Sequence, residues 1–241
     1  MNRKQATSTL LAFGWAIASS ACSSEAGPGN GELGSSSAAL AESADAASVT
    51  ADAPFEAPLP IPSVLAPAAT DANADSYTMT IQPGTAQMKP GATTPIVGFN
   101  GITPGPTIVA QRGRSVQITQ TNGWTENVSI HNHGHKVAAA SDGHPTDFIT
   151  PGNSKLYTYP NDQNAGTYWY HDHALDRTAP HVYQGLAGFY IIHDPAEDTL
   201  QLPSGAYDVP LLIQDRSFNA DNSLAYDPGT FLGFFGDTAL V

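Results

Sequence analysis

The chain has 241 residues, 22 acidic against 9 basic, and a formal charge of -13 at pH 7. That balance would repel a phosphate backbone, which excludes nucleic acid as a partner. A single cysteine excludes an intrachain disulfide framework, and the length allows one or two domains with a sizeable core.

At the start, Arg3 and Lys4 lead into an apolar run, "LLAFGWAIA" (Leu10 to Ala18), too short to span a bilayer. Ser19, Ser20 and Ala21 then precede Cys22, so residues 1–22 resemble a bacterial lipoprotein signal, with Ser19 where leucine is usual. The resemblance implies that Cys22 is lipidated and that the protein is exported to the cell envelope, periplasmic or outer-surface, touching a membrane only through that anchor. An ordinary signal peptide cut near the same place implies export equally. Residues 23–53 are Ala, Ser, Gly and acidic side chains, and between Gln5 and Met88 there is no Lys or Arg. So few large apolar groups cannot offset the entropy of ordering, which predicts a flexible linker. Gly29, Gly31 and Gly34 spell G-x-G-x-x-G, but neither flank reads as the strand and helix that a dinucleotide site requires.

From Pro54 onward the pattern is that of strands. "YTMTI" (Tyr77 to Ile81) and "SVQITQT" (Ser115 to Thr121) alternate apolar and polar residues, as half-buried strands do. "LYTYP", "TYWYH" and "GFYII" add β-branched and aromatic runs, separated by turn signals such as "KPGATTP", "TNGW" and "TPGNS". No window offers an amphipathic helix of ordinary length. The expectation is an all-β sandwich over residues 54–200. From about Leu202, "YDVPLLIQDRSF" predicts a new strand series, the start of a second domain over residues 201–241 that the chain does not finish.

The 8 histidines are unevenly spent. His131 and His133 in "VSIHNHGH", and His171 and His173 in "YWYHDHA", form two H-x-H pairs. Residues two apart on a strand share a face at about 6.6 Å, so each pair projects together, the second alongside Trp169. Such imidazoles can converge on one metal or reach two neighbouring ones. Imidazole suits copper, zinc, iron and nickel, and no thiolate is at hand to favour a soft-ligand site. A pair of surface histidines is the plain alternative for either motif alone. Tyr168, Trp169 and Tyr170 read as core packing. His135 follows Gly134 and is expected to be exposed or to sit behind the ligands; His144, His181 and His193 are expected to serve structure or face solvent.

"NGITPGPTI", "IHNHG", "SDGHP", "YPNDQNAGTYWYHDHA" and "VYQGLAGFYIIHDP" together resemble the first cupredoxin domain of a multicopper oxidase, in the bacterial laccase and bilirubin-oxidase-like branch. "PLPIPSVLAP" and "YDVPLLIQDRSF" extend the resemblance over roughly Pro54 to Val241. It implies a cupredoxin-like Greek-key β-sandwich, and copper as cofactor. His131 would ligate the type 2 copper, while His133, His171 and His173 would ligate the type 3 pair. It implies that Asp142, in "SDGHP", supplies protons; a plain turn aspartate is the simpler reading. O2 and a small reducing substrate would be the partners of the complete enzyme.

The family also needs a type 1 copper with Cys and His ligands. Here the only cysteine is Cys22, and no H-x-H motif follows His193. The expectation is therefore half of a trinuclear site, completed by missing cupredoxin domains, in a chain inactive on its own. The alternatives are a stand-alone copper- or zinc-binding cupredoxin for metal storage or delivery, and a metal-free interaction module.

Overall fold

The computed structural model describes residues 59–229 and 233–241, all within one compact unit of the chain, Thr50–Val241. The lipoprotein-type signal with Cys22, and the linker over residues 23–53, lie outside the described residues.

Alternation of apolar side chains predicts strands that bury one face, and nine of them build a sandwich. They are β1 (Ala69–Thr70), β2 (Ala74–Ala86), β3 (Thr94–Phe99), β4 (Gly105–Gln111), β5 (Ser115–Asn122), β6 (Ile130–His133), β7 (Ser154–Tyr159), β8 (Gly166–Asp172) and β9 (Ala187–His193). One sheet runs β1-β2-β5-β7, with β3 on the other half of β2; the second runs β4-β9-β8-β6. From β3 to β8, successive strands alternate between the two sheets, so each connection crosses the sandwich. The β2–β5 and β4–β9 pairs are parallel.

Period two sets the core. Tyr77, Met79 and Ile81 of β2, Val116 and Ile118 of β5, and Tyr157 and Tyr159 of β7 are buried against Ile108, Ile130, Tyr190 and Ile192 of the second sheet. Burying each aliphatic side chain of this kind contributes roughly 1.5–3 kcal/mol. β5 continues the alternation into Gln120 and Asn122, which are polar yet buried. Asn122 donates to the carbonyls of Glu126 (2.7 Å) and Ile149 (2.8 Å) and accepts from the Trp124 amide (2.9 Å). It thereby ties down the loop that leads into β6.

A single α-helix among the described residues, α1 (Thr178–Gln184), follows β8, as short as the absence of amphipathic windows predicts. Pro180 falls in its first turn, where the missing amide hydrogen costs nothing, and Gly185 at φ 130° ends it. Three further strands, β10 (Gln214–Phe218), β11 (Leu224–Ala225) and β12 (Thr238–Leu240), form their own sheet in the order β11-β10-β12. The strand predicted from Tyr207 begins only at Gln214. Pro210 cannot donate to a ladder, and Tyr207 and Ile213 are 84% and 72% exposed, with no strand among the described residues paired to their segment. No helix among the described residues is long and apolar enough to cross a membrane.

Candidate metal centre

Strand pairing brings the two histidine pairs together. β6 and β8 are antiparallel, with His131 opposite His171, His133 opposite Trp169, and Ile130 opposite Asp172. Directly paired residues put their side chains on one face about 5 Å apart, so His131, His133, His171 and Trp169 share a surface. Ile130 and Asn132 turn to the other side, and both are buried. His173 lies just past the end of β8, held by its amide donating to the Ser129 carbonyl at 2.6 Å.

The four rings crowd one spot. His131 is 5.5 Å from His133, 5.4 Å from His171 and 5.3 Å from His173, centroid to centroid. His171 is 5.8 Å from His133 and 5.6 Å from His173. One ring nitrogen from each of His131, His133 and His171 lies within 4.8 Å of the other two.

Hydrogen bonds decide which nitrogens remain free. His131 donates from Nδ1 to the Asp142 carbonyl at 2.6 Å, which leaves Nε2 with its lone pair. His171 donates from Nδ1 to the Asp172 carbonyl at 2.7 Å, and its Nε2 is buried without a partner. Nδ1 of His173 is likewise buried and unpartnered. Backbone carbonyls behind the ring are the usual way of fixing the tautomer of a metal-ligating histidine. Burial, helped by the facing histidines, pushes the His171 pKa down to about 4 against the lift from its backbone bond, so its ring is neutral, as ligation requires. Orphaned buried nitrogens on an all-imidazole face fit a copper, zinc, iron or nickel ion.

The "SDGHP" loop closes one side. Gly143 sits at φ 73°, and a Cβ there would meet the Ile130 carbonyl oxygen at 2.0 Å. Only glycine lets the loop lie this close to β6, and that approach delivers the Asp142 carbonyl to His131. The Asp142 carboxylate stands 3.6 Å from the same Nδ1 and is 47% exposed.

One expectation about the other aromatic residues needs correction, and two are narrowed. Trp169 is at the site, not in the core: it stacks on His171 at 4.1 Å and on His133 at 5.3 Å. Its place two residues before His171 on the same strand was the available signal. His135 is not exposed. It is boxed by Tyr159, Tyr168 and Tyr190 at 5.7, 4.9 and 4.4 Å, and burial pushes its pKa down to about 4. His181 serves structure, one of the two roles expected of it: it is buried and bonds two carboxylates, Asp172 nine residues before it and Glu126 in a distant segment. His144 faces solvent and His193 is half-buried, as expected.

A sequence profile described as multicopper oxidase matches residues 80–197. A bilirubin oxidase from Albifimbria verrucaria is 40% identical over 78% of this chain and 34% of its own length. A laccase from Bacillus subtilis (strain 168) is 35% identical over 76% of this chain and 44% of its own length. Among solved structures, a multi-copper oxidase from Pediococcus acidilactici superposes with a TM-score of 0.71 at 35% identity, over 76% of this chain and 39% of that one. The chain thus spans roughly a third to under half of the length of these relatives.

Proposed function

The chain belongs to the multicopper oxidase family and carries its cupredoxin-like β-sandwich, and from that premise we propose that it is the N-terminal part of an exported, laccase-like oxidoreductase. In this reading residues 54–200 are the first cupredoxin domain and residues 201–241 begin the second. The complete enzyme couples one-electron oxidation of a small substrate to the four-electron reduction of O2 to water, and copper, when bound, supplies that redox chemistry. This chain would contribute half of the ligands of a trinuclear site.

The supporting observation is the convergence of four imidazoles with free or orphaned nitrogens on the β6–β8 face. His131 would hold the type 2 copper; His133, His171 and His173 would hold the type 3 pair. The carbonyls of Asp142 and Asp172 orient the rings of His131 and His171. The Asp142 carboxylate, part-exposed beside His131, would hand protons from solvent toward the site. Trp169 stacks on the rings of His133 and His171 and restrains them. A type 1 site needs a cysteine thiolate, and Cys22, in the signal segment, is the chain's only one. Electron intake and the remaining histidines would therefore come from further cupredoxin domains, and Cys22 would carry the lipid anchor.

The test is to titrate the purified chain with Cu(II) and record visible and EPR spectra alongside O2 uptake with a phenolic substrate. Nitrogen-ligated Cu(II), with no intense blue band and no O2 uptake above that of free Cu(II), is expected. An intense blue band would mean a thiolate site outside this reading. Uptake of zinc but not copper would favour a metal-storage module instead.

A further inference from the structure

One buried carboxylate sits between the two histidines of the second pair. Asp172 is 0% exposed, and strand alternation turns its side chain away from the face that His171 occupies. Its Oδ1 accepts from the Ser129 amide at 2.8 Å. Its Oδ2 accepts from the Ala174 amide at 3.1 Å and from His181 Nδ1 at 2.8 Å. Ser129 lies two residues before His131, and Ala174 directly follows His173. The same carboxylate thus holds the backbone beside both pairs.

A buried charge survives only when paired and fully hydrogen-bonded. Here the pair is His181, itself 1% exposed, delivered by α1. Its Nε2 faces Glu126 at 3.3 Å, and Trp124 meets its ring edge-on at 4.7 Å. Arg177 adds a positive charge 3.7 Å from Glu126. Burial lowers the His181 pKa, but the bonds and charges of Asp172 and Glu126 outweigh it and raise the net value. Each ring nitrogen thus meets a carboxylate, Nδ1 donating to Asp172 and Nε2 facing Glu126.

We propose that Asp172 and His181 form a clamp that sets the spacing of the two H-x-H pairs, with His181 a positioning residue that acts on the metal ligands through Asp172. The clamp rests on the copper reading above only for its consequence, because none of its hydrogen bonds uses the side chain of a ligand histidine. Loss of the His181 donor leaves Asp172 buried with two amides and no side-chain partner. The carboxylate then shifts or hydrates, and the chain on either side of it moves with it.

The experiment has a metal-free arm and a copper arm, both on the full chain. In the first, amide hydrogen exchange is read by NMR at Ser129 and Ala174, with Ile118 as a core reference. His181→Leu should speed exchange at both sites at least about tenfold relative to Ile118. In the second, His181→Leu should weaken Cu(II) binding by roughly 10- to 100-fold and change the EPR hyperfine pattern, while far-UV circular dichroism stays as in wild type. His181→Asn, whose amide nitrogen can stand where Nδ1 stands, should restore exchange protection and affinity.

If His181→Leu does not fold, His181→Asn and His181→Gln decide the matter, since Gln reaches toward Glu126 rather than Asp172. Tight copper binding by Asn and weak binding by Gln supports the clamp; equal affinities, or the reverse order, overturn it. A folded His181→Leu chain with wild-type exchange, or with wild-type copper affinity and spectrum, overturns it as well. Should the wild-type chain take up no copper, the copper reading fails and the exchange arm alone decides the clamp.

Discussion

Trp169 lies almost flat against His171, with ring centroids 4.1 Å apart and planes inclined by 26°. The indole also reaches His133, so it covers the imidazoles of two strands at once. Paired aromatic rings in such offset arrangements contribute about 0.5–1.5 kcal/mol beyond their buried area. The stack therefore restrains two rings whose nitrogens face a common point.

Copper bound at this face should quench the emission of Trp169, because the ion would sit one imidazole away. Fluorescence titration of the wild-type chain with Cu(II) should show strong saturable quenching, and Trp169→Phe should lose most of it while still binding the ion. Equal quenching in the two proteins would put the copper somewhere else.

Removing the second pair should remove the site but keep the fold. His171→Ala with His173→Ala lies at the end of β8, outside the apolar cluster that joins the sheets. Cu(II) affinity measured by calorimetry should fall at least about tenfold, which is 1.4 kcal/mol, with little change in far-UV circular dichroism. In the complete oxidase proposed above, the same variant should show collapsed O2 reduction. Near-normal affinity in the double variant would take both residues out of the site.

Gly143→Ala is expected to cost about 1–3 kcal/mol of stability, the usual range for forcing a side chain into a strained backbone conformation. The added Cβ would collide with the Ile130 carbonyl and push the Asp142 carbonyl away from His131. Denaturant melts should record the loss, and the NMR signal of the His131 Nδ1 proton should weaken or vanish. A variant as stable as wild type, with that proton still protected, would contradict the close approach.

Acid sensitivity should depend in part on Asp75. Arg114 donates to both of its carboxylate oxygens, at 2.7 and 2.8 Å, and this guanidinium, with Thr70 adding a bond, holds the Asp75 pKa below its ordinary 3.8 against burial. A carboxylate with a lowered folded pKa stabilises the fold above its unfolded value. That contribution is lost as pH falls through the folded value. Thermal melts between pH 7 and pH 2 should therefore show Asp75→Asn less stable near neutrality. The gap to wild type should close only below about pH 3.8. A gap that widens in acid would refute the pairing.

Cys22→Ala should leave the membrane fraction when the protein is expressed in a bacterial host that processes lipoproteins. Wild type and variant fractionating alike would rule out lipidation at Cys22.

The histidine pairs were legible in the chain because period two is a property of any strand. His131 and His133 had to share a face once a strand was assigned around them, whereas His173, just past the end of β8, is held by its amide bond to the Ser129 carbonyl. Trp169 shows where that reading stops: the same period puts it beside His171, yet an aromatic run such as "YWYH" suits a core equally well. Which face is core depends on the opposing sheet. The segment from Tyr207 to Ile213 failed for a related reason, since an apolar run forms a strand only where a neighbour accepts its hydrogen bonds.

Alternation, turn residues and the two spaced pairs by themselves determined a β-sandwich with an imidazole-rich face and, by motif, the copper-oxidase family. Only the tertiary structure decided that His131 lies opposite His171, that the Asp142 carbonyl selects the free nitrogen of His131, and that Asp172 reaches His181. Register, loop approach and buried ion pairs join residues far apart in the chain. They are fixed by packing and by the cost of leaving a buried polar group unpaired, and neither leaves a periodic trace in a single sequence.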